Sequence, residues 1–346
     1  MQLSVLNVAP LRQGQSFSAA VDDMVALAQK VESYGYHRYW VAEHHNSPSL
    51  ASSATQLLIQ RLLDKTESIR IGSGGVMLPN HSPYMVAEQY GTLDALYPNR
   101  LDLGLGRAPG TDRATAKVIR RKEPWDIDFE RDFEELQSYF DGVGEVKAFP
   151  AAGRKIPYYI LGSSLDSAHL AARLGLPYAF ASHFAPAHLQ DAADVYHHEF
   201  KPSKYSLEPY FILALNIFLA DTDAEACRLA TTHIQANLDL ITGQLTGLKP
   251  PKENEEEIWE SYVEAKKVSN FGPVLLEPHQ LIHRERAVVQ QMMGGSLIGS
   301  KETVLTALKG YQKKFPFHEI MAHSFIYDHE AQAYSYKLLA DIAKDL

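Results

Sequence analysis

Short apolar, β-prone runs alternate with segments of helical periodicity along most of the chain. Leu3 to Val8 is the first run, and Val21, Met24, Val25, Ala28 and Val31 follow it at helical spacing until Gly35 stops the helix. Strand-like Arg38 to Ala42 comes next, then a helix around Gln56 to Leu63, a strand over Ile69 to Met77, a helix from Tyr84 to Leu96 and a strand over Leu101 to Leu105. Pro157 to Leu161, Tyr178 to Ala181, Tyr210 to Leu219 and Glu319 to Ile326 supply four more strands, each followed by helical sequence. The strands are continuous apolar runs, as expected where helices cover both faces of a parallel sheet. Eight such units predict an α/β fold, a closed (β/α)8 TIM barrel, with a doubly wound open sheet as the competing arrangement.

One stretch breaks the rhythm. Residues 240–293 hold no confident barrel strand, and KENEEEIWESYVEAKKV reads as an exposed acidic helix. We read this as a helical insertion between the seventh and eighth strands of a single domain spanning 1–346, expected to cover the barrel mouth or pack against it.

Composition narrows the function classes. At 346 residues, 45% hydrophobic and 22% charged, the chain has the make-up of a folded globular protein. A net charge of −9, with no basic stripe, argues against nucleic acid as a partner. The single cysteine, Cys227, has no internal partner for a disulfide, and no apolar run reaches bilayer length. These features point to a cytoplasmic enzyme without a membrane segment.

In a strand–helix barrel, catalysis sits at the carboxyl ends of the strands, so residues just after each strand are the candidates. After the second strand comes AEHH, giving Glu43, His44 and His45. Successive side chains of an extended segment face opposite ways, so one histidine should face the barrel axis, where it suits proton transfer near neutral pH or a structural hydrogen bond. Gly74 and Gly75 at the end of the third strand signal a bulge, a kink or close approach by a ligand. The fourth strand leads to Gly106 and Arg107; the spacing is wrong for a dinucleotide fingerprint, and no helix follows at once. What remains is a permanent cation at a strand end, able to hold a phosphate or to form a surface ion pair. The fifth strand runs into Gly162, Ser163 and Ser164 ahead of a helix that ends at Gly175, a pattern that serves equally for capping and for cradling an anion.

A metal centre is not expected. His279 and His283, with Glu277 and Glu285, lie in the insertion away from the strand ends. The zinc-protease spacing is missing there and around His197, His198 and Glu199. No Gly-x-Ser-x-Gly elbow occurs either.

At these strand ends the chain resembles the bacterial luciferase-like flavin monooxygenases, in particular a subgroup of single-chain oxidoreductases. The resemblance is carried by AEHH, a small pair before VMLP, AEQYGTLDALYPNRLDLGLGRAPGTD, and LGSS after the fifth strand. It is close over Met1 to about Phe184, resumes from about Gly294, and is weak across the insertion. It implies a barrel that binds reduced FMN at its carboxyl-terminal face, with molecular oxygen as co-substrate, often as a homodimer packed through the helices around the second and third strands. Under that resemblance His44 matches the active-site histidine, and Gly74 and Gly75 match a small pair joined by a cis peptide that supports the flavin ring. Gly106 and Arg107 match positions beside ring and phosphate, while Gly162, Ser163 and Ser164 match the phosphate loop. That loop follows strand five, whereas barrels in general favour strands seven and eight. The expected reaction is oxidation of a small organic substrate such as an aldehyde, with electrons from a separate flavin reductase. Deazaflavin-dependent hydride transfer, flavin binding without turnover, and a metal-dependent barrel hydrolase are the alternatives.

Overall fold

The computed structural model describes residues 1–120, 128–265 and 283–346. Its strands are β1 (Gln2–Asn7), β2 (Arg38–Val41), β3 (Arg70–Met77), β4 (Leu101–Gly106), β5 (Tyr158–Gly162), β6 (Tyr178–Phe180), β7 (Phe211–Leu219), β8 (Leu297–Gly299) and β9 (Glu319–His323). Parallel ladders run from β1 through β7 in order, then from β7 to β9 and from β9 back to β1, closing eight strands into a (β/α)8 barrel. The open-sheet alternative is thereby removed. β8 stands outside the closure: its three residues pair with the outer end of β7, Leu219 opposite Gly299. The apolar pattern did not reveal it, because three residues are too few to display a period.

The expected helices are present at Phe17–Ser33, Thr55–Lys65 and Pro83–Leu96. Gly35 ends the first as foreseen, at a φ of 82° that a side chain would strain. In the described part of the insertion, Ile258 and Trp259 of helix Glu255–Ala265 pack with Ile234 and Leu238 of helix Asp223–Thr242 and with Val289 of helix His283–Met293. Among the described residues no helix is long and apolar enough to cross a membrane.

Strand alternation sorts the side chains into two layers. Outward residues such as Tyr39, Val41, Leu103 and Leu105 meet the helices in the main core. Inward residues fill the lumen: Leu6, Trp40, Tyr159, Ile212, Ala214 and Met321 form one apolar cluster. Below it lies a charged floor. Arg38 Nη1 donates to Asp102 Oδ2 at 2.9 Å and to the Tyr159 hydroxyl at 2.6 Å. Its Nε lies 2.8 Å from Glu319 Oε1, an ion pair off the hydrogen-bond angle. Arg70 donates to Asp102 Oδ1, Trp40 Nε1 to Asp102 Oδ2, and Tyr210 to Glu319 Oε2. Burial penalises the Arg38 charge, but Asp102 and Glu319 more than offset it and hold the guanidinium above its ordinary pKa. A groove of about 660 Å3 opens beneath this floor, between Gln2, Glu32, His37 and Arg70. It lies at the amino ends of the strands, the end that such barrels use for stability rather than chemistry.

Candidate active site

The period of two that points Arg38, Trp40 and Ala42 inward carries on past the end of β2 to His44. His44 is half-buried, and its Nδ1 is shielded from solvent without a hydrogen-bond partner. Burial lowers its pKa, Glu43 partly offsetting that, so the imidazole is held neutral. His45 turns the other way, and its Nε2 donates to Glu43 Oε1 at 2.8 Å. His81 Nε2 donates to the same carboxylate, 2.9 and 3.0 Å from its two oxygens, and the Met77 amide reaches Oε2 at 3.3 Å. Burial alone would raise the Glu43 carboxyl, yet these imidazoles hold it down at about 2. The three groups lie within 4.8 Å of one another, a spacing compatible with a metal. Two hydrogen bonds onto one carboxylate account for it without an ion. Glu43 thus ties the β2 and β3 loops together behind His44. The sequence showed Glu43 inside AEHH but gave no sign that His81 would join it.

The ends of β4 and β5 meet at an anion-friendly corner. Ser164 caps helix Leu165–Leu174 in a reciprocal capping box with Ser167. Arg107 Nη2 approaches Ser164 Oγ at 3.4 Å, and Arg107 has no carboxylate partner among the described residues. Gly162 is required by close approach, since a Cβ there would stand 2.1 Å from Ser167 Oγ. The Tyr178 hydroxyl, 2.8 Å from Ser167 Oγ, braces the turn. The structure therefore brings Arg107, Gly162 and Ser164 together, with Ser163 between the last two in sequence. As the sequence suggests, no helix follows β4 at once: the strand ends at Gly106, and the short helix Arg113–Arg120 begins only after a loop. Its N-terminus is already filled, because Asp112 Oδ1 accepts from the amides of Ala114 and Thr115 at 2.9 and 3.0 Å.

The Gly74–Gly75 peptide is cis, at a register shift between β3 and β4. The missing side chains have a protein explanation: a Cβ at Gly74 would meet Leu6 Cδ1 at 2.6 Å, and one at Gly75 would meet the Gly104 carbonyl at 2.7 Å. At Gly106 the neighbour is Met77 Sδ, also at 2.6 Å.

A further set of residues, absent from the sequence candidates, occupies the arc of β6, β7 and β9. His183 follows β6, Asn216 lies on β7 and His323 ends β9, with His233 facing them from helix Asp223–Thr242. Asn216 Nδ2 donates to the His183 carbonyl at 2.6 Å, and its Oδ1 lies 3.0 Å from His323 Nδ1. Burial depresses all three imidazoles, His183 to about 4 and His233 to about 3. An unfolded histidine titrates near 6.5, so as pH falls below that value the unfolded chain binds protons that the folded chain refuses. These groups leave stability intact above about pH 6.5 and remove about 1.4 kcal/mol per pH unit per histidine on the way down. Thermal melts at about pH 7 and about pH 5 should show a drop that shrinks in His233→Phe; an equal drop in both proteins would contradict the assignment.

His279 and Glu277 lie outside the described residues, as does the side chain of His283. His197 Nδ1 pairs with the Ala193 carbonyl and Glu199 with His169, so the second histidine group does not converge on one point.

Comparison with known proteins agrees with this geometry. A family profile for luciferase-like monooxygenases matches residues 1–316. A luciferase-like monooxygenase of Escherichia coli strain K12 is 43% identical, the alignment covering 99% of this chain and 97% of that protein. An N-acetyl-S-alkylcysteine monooxygenase of Bacillus subtilis is 30% identical, covering 99% and 98%. The crystal structure of apo-MsnO8 superposes with a TM-score of 0.84 at 32% identity, covering 99% of this chain and 98% of that one. With its closed barrel and its mouth of strand-end histidines beside an arginine, the chain belongs to the luciferase-like monooxygenase family.

Proposed function

We propose that this chain is an FMN-dependent monooxygenase that uses reduced flavin and molecular oxygen to oxidise a small organic substrate. The observation that carries the reading is one mouth holding both an anion corner, whose arginine has no carboxylate partner among the described residues, and a neutral inward histidine whose Nδ1 has no hydrogen-bond partner among them. The residues fit the flavin. Arg107, Ser163, Ser164 and the N-terminus of helix Leu165–Leu174 would take the phosphate, and the backbone at Gly74, Gly75, Gly106 and Gly162 would border the rest. When bound, reduced FMN supplies the electrons for oxygen activation. His44, neutral at working pH, holds or accepts a proton at the reacting centre. Glu43, by fixing His45, His81 and the Met77 amide, keeps the His44 segment in register with the β3 loop.

No nicotinamide site accompanies these residues in the sequence, so we assign the supply of reduced flavin to a separate reductase. We also assign a homodimer through the helices after β2 and β3, where Leu57, Met85 and Leu96 stand 68%, 47% and 58% exposed. Sedimentation at the monomer mass over micromolar concentrations would remove that assignment.

The experiment is to load the protein anaerobically with reduced FMN or with a reduced deazaflavin, then admit 18O-labelled oxygen with panels of aldehydes and thioethers. Label in the product with FMN alone supports the reading. Substrate turnover with the deazaflavin and none with FMN would replace it by hydride transfer, and binding without turnover of either panel would leave a flavin carrier.

A further inference from the structure

Residues 246–252, near the start of the insertion, lie against the loop that follows β1 and are hydrogen-bonded along both edges. On one edge the Leu248 amide donates to the Leu11 carbonyl, and the Gln13 amide donates to the Leu248 carbonyl, each at 2.8 Å. On the other edge helix Asp223–Thr242 supplies the partners. Thr232 Oγ1 donates to the Lys249 carbonyl at 3.0 Å, Gln235 Nε2 donates to the Pro250 carbonyl at 2.9 Å, and Thr231 Oγ1 accepts from the Lys252 amide at 2.8 Å. Lys249 Nζ pairs with Asp239 Oδ1 at 2.7 Å. Thr231, Thr232, Gln235 and Asp239 share one helix face, and all four are buried. Buried polar groups destabilise a helix face unless each is hydrogen-bonded, so this face is fitted to the segment it holds. Gly247 meets the same demand from the chain side. It has a φ of 90°, and a Cβ there would stand 2.8 Å from the Leu11 carbonyl oxygen.

The loop after β1 passes this support on. The Leu11 amide donates to the Ser49 carbonyl and the Ala51 amide to the Ala9 carbonyl, each at 2.8 Å, and the His44 amide donates to the Ser52 carbonyl at 3.2 Å. Arg12 anchors the same loop, its Nη1 3.1 Å from Asp23 Oδ2 and its Nε donating to the Tyr327 carbonyl. Segments 247–252, 9–13 and 49–52 thus form one ladder, and its last rung closes the loop that begins at His44. β2 ends at Val41, so His44 stands beyond the strand that aims it. Glu43 secures that segment toward β3, and the ladder secures it toward β1. We infer that the start of the insertion is a brace for His44, with Gly247, Thr232 and Gln235 as positioning residues for the proton transfer assigned to that imidazole. A misplacement of about 1 Å at a reacting group lowers rate by about a hundredfold, so a brace made only of backbone contacts carries weight in the chemistry. The inference rests on the reading of His44 in the proposed function, and amide exchange tests the ladder independently of it.

The test uses the full-length protein and two variants. Gly247→Ala sets a methyl against the Leu11 carbonyl, and the double variant Thr232→Val, Gln235→Leu removes two helix anchors without straining the backbone. In both, amide hydrogen exchange should quicken about tenfold at Leu248, Leu11, Ala51 and His44, the effect of one net hydrogen bond, and stay at the parent rate in β4 and β5. With the aldehyde or thioether that labelled oxygen selects, kcat should fall about tenfold, while KM and FMN affinity stay within about twofold of the parent. A purely structural tie would lower the melting temperature and leave kcat unchanged well below it. Faster exchange that stops at Leu248 and Leu11, a parent kcat in both variants, or a loss confined to KM would overturn the brace. His44→Ala oxidising substrate at the parent rate would strike the proposed function instead, and exchange at Ala51 and His44 would then decide whether the ladder holds that loop.

Discussion

Replacing His44 by alanine is expected to slow single-turnover substrate oxidation by about a hundredfold to ten-thousandfold, the range of a general acid or base. FMN affinity should change little, because Arg107 and Ser164 lie at the separate corner formed by β4 and β5. His45→Ala makes an informative comparison rather than a silent control. His45 donates to the buried Glu43 carboxylate, and its removal leaves that charge to His81 and the Met77 amide. The expected signature of His45→Ala is therefore lost stability, of about 1–3 kcal/mol, with a smaller effect on rate. Stopped-flow oxidation of reduced FMN with product quantification, alongside thermal melts, separates the two. A His44→Ala protein that oxidises substrate at the parent rate would show that the proton-handling group lies elsewhere.

Arg38→Leu should produce the largest loss of stability of any substitution away from the mouth. It removes the only cation within 4 Å of Glu319 among the described residues and one of two beside Asp102, both carboxylates being fully buried. Breaking such a buried pair destabilises by about 3–5 kcal/mol, because the remaining carboxylate is stranded in a low-dielectric interior. For 346 residues, with an unfolding entropy of about 2.1 cal/mol/K per residue, that is a fall in Tm of roughly 4–7 °C. Lys204→Ala, which breaks the exposed ion pair with Asp141, should stay within about 0.5 kcal/mol of the parent. Equal melting temperatures for Arg38→Leu and Lys204→Ala would mean that the barrel floor is not held by charge.

The barrel was legible because buried parallel strands leave a plain mark in sequence: all nine residues of Phe211–Leu219 are buried, and all but Asn216 are apolar. β8 left no such mark, being three residues that pair only with the overhang of β7. The helix at Arg113 carries a readable signal, an aspartate at its N-cap position, and it starts too far beyond β4 to conflict with the absence of an immediate helix there. The charged floor was not legible at all: Arg38 and Asp102 are 64 positions apart, and nothing local shows that one faces the other. At the site, alternation placed His44 and His45 on opposite faces, and the structure separates them that way. His183 passed the same strand-end filter as His44, yet it stands in an ordinary-looking run without glycines or repeated polar residues to draw attention, and His323 was hidden because the strand read from the sequence ran on to Ile326, past its observed end at His323. His233 comes from a helix, and the filter does not reach it.

The central claim is that the phosphate of reduced FMN is held by Arg107 and the Ser163–Ser164 turn at the carboxyl ends of β4 and β5. Its most direct test is an anaerobic titration of parent and Arg107→Ala with reduced FMN and with reduced riboflavin, which lacks the phosphate. A charge-assisted hydrogen bond contributes about 1.5–3 kcal/mol, so FMN binding should weaken by about tenfold to a hundredfold or more in the variant. Riboflavin should bind both proteins alike. FMN binding of equal strength in the two folded proteins, or an equal loss for FMN and riboflavin, would contradict the claim.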